Sequence, residues 1–259
     1  MLRAIFVSDA PRGWRVALSV LVLGIHYVVL FHLPKGPALA SEDLQKLLQQ
    51  AGDLQASGRY AEALEPLLLL HRAHPRNHIY LRQLAEIHGR LGRRQPEAEY
   101  WEQFFAVAPT PIEACPQMGR AYEQLKRQAD AIRAFERCLA LDPHNVDSIF
   151  FLAHALEVDG QYDRAAELYT RGLGLAPEYA DLECGLARVH LHRGELAKAQ
   201  ALAGKVLGRE ESNVEALLVM GLSHQRQGHA AEARRYLEEG ARLAPRNGDF
   251  RAALASLQP

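Results

Sequence analysis

The chain has 259 residues, 48% of them hydrophobic, and its 30 Lys and Arg nearly balance 31 Asp and Glu for a formal charge of −1. That balance lacks the basic surplus of a nucleic-acid-binding surface, so no nucleic-acid partner is expected. Three cysteines with no CxxC pair argue against a zinc ribbon or a thioredoxin-type redox centre.

Residues 1–15 carry Arg3, Arg12 and Arg15, and residues 16–33 follow with no Asp, Glu, Lys or Arg. As a helix these 18 residues would span ~27 Å, close to the hydrocarbon thickness of a bilayer. Only Lys35 follows closely, so the positive-inside rule places residue 1 in the cytoplasm and the rest of the chain across the membrane. In the linker, 34–43, Pro34, Gly36 and Pro37 break the helix, and Ala38-Leu39-Ala40 before Ser41 offers signal peptidase a small-x-small site. The apolar stretch is longer than the usual run of about 7 to 15 residues in a signal peptide, which favours a retained anchor. The expected protein is therefore a single-pass inner-membrane protein of a bacterium with a periplasmic domain. A soluble periplasmic form, cleaved after Ala40, is the alternative. Beyond residue 40 the chain holds 26 basic and 30 acidic residues, a formal charge of −4.

From residue 44 a period of 34 residues governs the sequence. Pro75, Pro109, Pro143 and Pro177 mark it, Pro245 keeps phase two periods on, and where Glu211 replaces the proline, Asn213 continues the series Asn77, Asn145, Asn247. One step is always small (Ala51, Ala85, Gly119, Ala153, Ala187, Gly221), and a later one is alanine in five of six units (Ala63, Ala131, Ala165, Ala199, Ala233). Apolar residues three and four apart predict two amphipathic helices per unit, brought close by the small residues. Gly58, Gly92, Gly160, Gly194 and Gly228 share the phase of the turn between them. Proline ends the second helix, and the asparagines are placed to cap the next first helix. Pro96, with Ala98 one step late, predicts an irregular second hairpin, and Ala203 with Glu211 predicts looser edges in the fifth unit.

Gly119, Tyr122, Ala131, Phe135 and Pro143 together resemble the signature of the tetratricopeptide repeat family. The resemblance covers residues 44–247 in six units and implies an all-α, right-handed superhelical solenoid. Residues 248–259 read as a capping helix, with Phe250, Leu254 and Leu257 covering the apolar face of the last unit.

No GxSxG, HExxH or phosphate-binding glycine loop occurs, so neither catalysis nor a cofactor is expected. Pro75 separates His71 and His74 from His78, and no metal site is completed there. His88, His190 and His224 stand at a step where the family often has tyrosine, which implies packing residues that donate one hydrogen bond each. Cys115 and Cys138 fall at similar heights of one hairpin and a disulfide is conceivable, but Cys138 occupies a step usually held by alanine. Free thiols packed as small hydrophobes are the favoured reading.

The resemblance assigns the concave surface to the first helix of each unit, and so to Arg82, Glu86, Arg90, Arg120, Glu123, Phe150, His154, Glu157, Arg188, His192 and Arg226. Arginine predominates among these charges, which suits a protein or peptide segment bearing carboxylates, with Phe150 as an apolar contact. The lysine and two asparagines by which one subgroup of the family clamps a C-terminal carboxylate are absent from the matching steps. The expected function is a membrane-tethered extracytoplasmic scaffold for assembly of an envelope complex such as a secretion, pilus, polysaccharide-export or respiratory machine. A periplasmic holdase or assembly chaperone is the alternative.

Overall fold

The structure, a computed structural model, describes residues 40–257. The segments 1–15 and 16–33 and residues 34–39 of the linker lie outside the described residues. Among those described there are thirteen α-helices, one short 3-10 helix and no strand. No helix among them is long and apolar enough to cross a membrane.

The chain divides after Pro75 into two compact units. In the first, α1 (Ser41–Ala56) packs on α2 (Tyr60–Ala73), with Ala51 and Ala63 fully buried where they meet. Pro66 lies inside α2, buried, a position that nothing in the repeat pattern anticipates. In the second unit the pairs are α3 (His78–Arg90) with α4 (Arg94–Val107), α5 (Cys115–Gln124) with α6 (Gln128–Leu141), and α7 (Val146–Val158) with α8 (Tyr162–Leu175). Then come α9 (Ala180–His192) with α10 (Leu196–Leu207), α11 (Val214–Arg226) with α12 (Ala230–Leu243), and a last helix α13 (Gly248–Ala255). Within the second unit each helix packs on its neighbours in sequence, and first helices also meet first helices along α5, α7, α9 and α11. This is the helical solenoid that the period predicts.

Local chemistry explains the helix ends. The side-chain carbonyls of Asn77, Asn145, Asn213 and Asn247 accept hydrogen bonds from the first-turn N–H groups of Ile79, Ser148, Ala216 and Asp249. Each hairpin turns through a left-handed residue. Gly58, Gly92, Gly160, Gly194 and Gly228 have φ of 70 to 80°, and the flanking N–H groups close back on the helix, as Gly92 does on Gly89 and Arg93 on His88. In the third pair this place is held by Lys126 at φ 57°, with the same two bonds. A side chain there carries a steric cost of about 1 kcal/mol, so Lys126→Gly is expected to raise the denaturant midpoint by the equivalent of about 0.5–1 kcal/mol.

Two expectations need correction. The α3–α4 hairpin is regular, because Pro96 sits in the first turn of α4, where its missing N–H has no helical partner to lose. The irregularity falls one connector later, where the 3-10 helix Pro111–Ala114 precedes α5. Cys115 and Cys138 are joined by a disulfide, Cα atoms 6.1 Å apart, rather than packed as free thiols. The antiparallel hairpin brings the start of α5 level with the last turn of α6, and both residues are buried. A bridge over a sequence separation of 23 confines the unfolded chain, so Cys115→Ala with Cys138→Ala is expected to cost about 3 kcal/mol in chemical denaturation. Cys184 is a buried free thiol whose pKa burial pushes up to about 12, leaving it unreactive near neutral pH.

The small residues do what their spacing implies. All of the alanines in both series are fully buried, and the ring of Phe135 rests on Gly119. In the fifth pair α10 has 12 residues where the other second helices have 14. Phe250 of α13 is fully buried beside Leu237, with Leu254 and Leu257 packed against the same cluster, so the last helix covers the end of the core as expected.

Candidate protein-binding face

The eleven residues assigned to the groove all lie on first helices of the second compact unit, and the structure sorts them into three groups. Arg82, Glu86 and Arg90 of α3 line a cavity of about 490 Å³, together with Gly89, Glu97 and Trp101, Glu113 of the 3-10 helix, and Gln117 of α5. Arg82 stands 3.9 Å from Glu86 and 3.7 Å from Glu113, loose contacts between half-exposed side chains. Glu97 is held at 2.7 Å by Arg94. Trp101 is 4% exposed, and its Nε1 is shielded from solvent without a hydrogen-bond acceptor.

The second group is aromatic. Phe150 stacks with His154 at 6.2 Å, lies edge-on to Phe151 at 5.5 Å and leans toward Tyr169 at 6.4 Å, while His154 stands 3.6 Å from Glu123. Arg120 is exposed and donates to the Pro116 carbonyl and to Gln117 Oε1.

The third group is internal. Glu157 accepts from the Tyr169 hydroxyl at 2.8 Å and from Arg188 through two bonds of 2.8 and 3.0 Å, and Arg188 also reaches Glu215 at 3.1 Å. Burial pushes the Tyr169 phenol up, and the Glu157 charge adds to it. Burial alone would lower Arg188, but hydrogen bonds to Glu157 and its charge reverse the sign and raise it. Glu157 is 8% exposed. Glu157 and Arg188 thus clamp α7, α8 and α9 together. His192 stacks on Tyr162 at 4.9 Å, and Arg226 donates to the Leu191 carbonyl, so both also hold the scaffold.

The groove's arginines do not present a uniform positive field. Glu113 and Glu215, absent from the sequence-based set, pair with Arg82 and Arg188. Glu113 could not be placed on the face because it lies in a connector, outside the helix pattern. Trp101 was legible as the aromatic step of its unit, 34 residues before Phe135. Its place in a cavity was not.

The three packing histidines behave unequally. His190 Nδ1 meets Glu195 at 3.0 Å, whereas Nδ1 of His88 and of His224 has no partner, and both rings stack instead, on Tyr100 and Tyr236. Burial, and secondarily the charge of Arg93, holds His88 below the ordinary imidazole pKa, and burial lowers His71 also. The unfolded chain then binds more protons, so stability is full above about pH 6.5 and falls as pH drops toward the folded-state values. His88→Tyr, which keeps a ring at this step, is expected to flatten that acid limb in urea titrations at successive pH values. Among the described residues no group of three His, Cys, Asp or Glu side chains is placed to hold a metal ion.

Comparison with known proteins fits this architecture. Two tetratricopeptide repeat family models match, one over residues 113–145 and the other over residues 158–220. Together these two stretches make up less than half of the chain. Among solved structures it resembles PilW, described as a widely conserved type IV pilus biogenesis factor, at a TM-score of 0.61 and 21% identity, covering 83% of this chain and 100% of that one. A tetratricopeptide repeat protein from Parabacteroides merdae matches at a TM-score of 0.60 and 18% identity, over 94% and 95% of the two chains. These likenesses establish the fold. In sequence, the BBSome complex member BBS4 of Bos taurus is 26% identical over 148 residues, 57% of this chain. The present chain spans only 28% of that protein.

Proposed function

We propose that this protein is a scaffold that binds protein segments along the face of its first helices, tethered to a membrane through residues 16–33 with the repeats on the extracytoplasmic side. It holds together the parts of an envelope complex and performs no chemistry of its own. The observation that carries the reading is the face itself: Phe150, His154, Arg120 and the cavity beside Arg82 remain partly reachable on a rigid helical frame, which suits an extended segment or a partner helix. The Cys115–Cys138 disulfide supports the extracytoplasmic side, because such bridges persist in oxidising compartments. The likeness to a pilus biogenesis factor agrees with an envelope role.

A second reading has its own support. Helix α1 begins at Ser41, directly after Ala38-Leu39-Ala40, so cleavage after Ala40 would release every repeat helix intact as a soluble periplasmic chaperone.

Brief crosslinking of native membranes, capture of the full-length protein and mass spectrometry of its companions and its own N-terminus decide between them. A few proteins of one machine in near-equal amounts support the scaffold, whereas many exported proteins in small amounts support the chaperone. A mature chain beginning at Ser41 would refute the anchor. Reversing Arg188 would be a poor probe of binding, since its guanidinium holds the fold; Arg120→Glu tests the same face without breaking an ion pair.

A further inference from the structure

The repeats contain their own template for what belongs in the cavity beside Trp101. In the fourth unit the aromatic step is Tyr169, whose hydroxyl donates to Glu157, and Arg188 of the following unit grips the same carboxylate with two bonds. Two repeats earlier the matching steps are Trp101, Gly89 and Arg120. The ring with a polar tip and the arginine are both retained, but glycine deletes the carboxylate that would join them.

The consequences of that deletion are visible. Trp101 Nε1 is buried without an acceptor, so its desolvation on folding goes unanswered. Arg120 has no carboxylate partner among the described residues and spends its donors on a backbone carbonyl and on Gln117, a residue of the cavity wall. Glu97 leans over Gly89, with Oε1 2.6 Å from where a Cβ would stand, yet it takes its hydrogen bond from Arg94 and none from Trp101. The lining itself carries Arg82 and Arg90 against Glu86, Glu97 and Glu113, while Arg94 and Arg120 stand at its margin on Glu97 and Gln117.

We infer that this cavity receives the carboxylate of an aspartate or glutamate from a bound protein segment, which accepts from Trp101 Nε1 and the Arg120 guanidinium in the place that Glu157 fills two repeats on. One added carboxylate answers the orphan donor and gives the Arg120 guanidinium an anionic acceptor. Because solvent does not reach Nε1 in the empty chain, binding includes a swing of a lining side chain; Glu97 reaches over Gly89 on a flexible stem. The inference rests on the protein-binding reading above and gives it a register: one acidic residue anchored between α3, α4 and α5.

The test supplies the missing group in cis. Gly89→Glu and Gly89→Gln share size and nearly share helix propensity, so they differ chiefly in charge. In full-length protein with Trp14→Phe, which leaves Trp101 as the reporter, Gly89→Glu is expected to melt higher than Gly89→Gln and to shift the Trp101 emission. Both differences should vanish when Arg120→Ala is added. Equal behaviour of the two variants, or an advantage that survives Arg120→Ala, overturns the assignment. In trans, a random-sequence peptide display library is selected on the full-length protein in detergent, and each retained peptide is remade with single Asp→Asn or Glu→Gln changes. One such change should weaken binding by about tenfold or more to the native chain, and far less to Trp101→Phe or Arg120→Ala. Retained peptides without any such position count against the inference. If no peptide is retained, the protein-binding reading fails, and the Gly89 comparison decides the cavity by itself.

Discussion

Arg188→Ala is expected to lower the stability of the α7–α9 region by about 3–5 kcal/mol, the cost of leaving a buried carboxylate without its partner. Glu157 has 7% of its side chain exposed and Arg188 has 21%, so water can replace little of what the guanidinium supplies. The two bonds from Arg188 and the one from Tyr169 converge on one carboxylate, and each partner comes from a different helix. Removal therefore unties α7 from both α8 and α9 rather than weakening one contact. Solenoids couple mainly between neighbouring repeats, so amide hydrogen exchange should rise across residues 146–192 and change little near α13. A charge-free pair, Arg188→Met with Glu157→Gln, should recover much of the loss, because no unpaired ion then remains buried. Equal loss in the single and paired variants would show that packing of the Arg188 stem, and not its charge, holds the joint.

Gly119→Ala is the second large effect. A Cβ at this position would lie 1.7 Å from Phe135 Cζ and 2.4 Å from both Cε atoms. Phe135 is 1% exposed and stacks on Phe151 at 5.5 Å, so its ring cannot move aside without disturbing a neighbour. Overpacking of this kind costs about 1–3 kcal/mol, and the depth of the overlap puts Gly119→Ala at the upper end, despite alanine's better helix propensity. Adding Phe135→Leu should restore most of the stability by removing the ring tip. Thermal melts of the single and paired variants check this directly. A single variant as stable as the native chain would mean that the ring tilts freely, which its burial argues against.

Lys126→Gly, the disulfide pair and the acid limb of His88 probe smaller features. They also show where the pattern stops informing. The glycine phase identified five turns, and the sixth, at Lys126, takes the same left-handed conformation because the hydrogen bonds around it are made by backbone alone. Pro96 looked disruptive only while its position in the helix was unknown.

By itself the sequence determined the repeat: the 34-residue beat, the small residues at helix contacts, the asparagine caps, the turn glycines and the covering helix at the end. All of these are local or periodic, since capping needs one side chain near four N–H groups and close packing needs a small residue at a fixed step. Only the tertiary structure decided which groove residues are available. Glu157 and Arg188 have the residue types and spacing of ligand contacts, yet Tyr169 and Glu215 consume them. Whether Cys115 and Cys138 bond depends on an interhelical distance of 6.1 Å that periodicity does not specify. The cavity at Trp101 arises because Gly89, Glu97 and Gln117 come from three helices, and what a side chain can bind depends on which neighbours across those helices have already satisfied it.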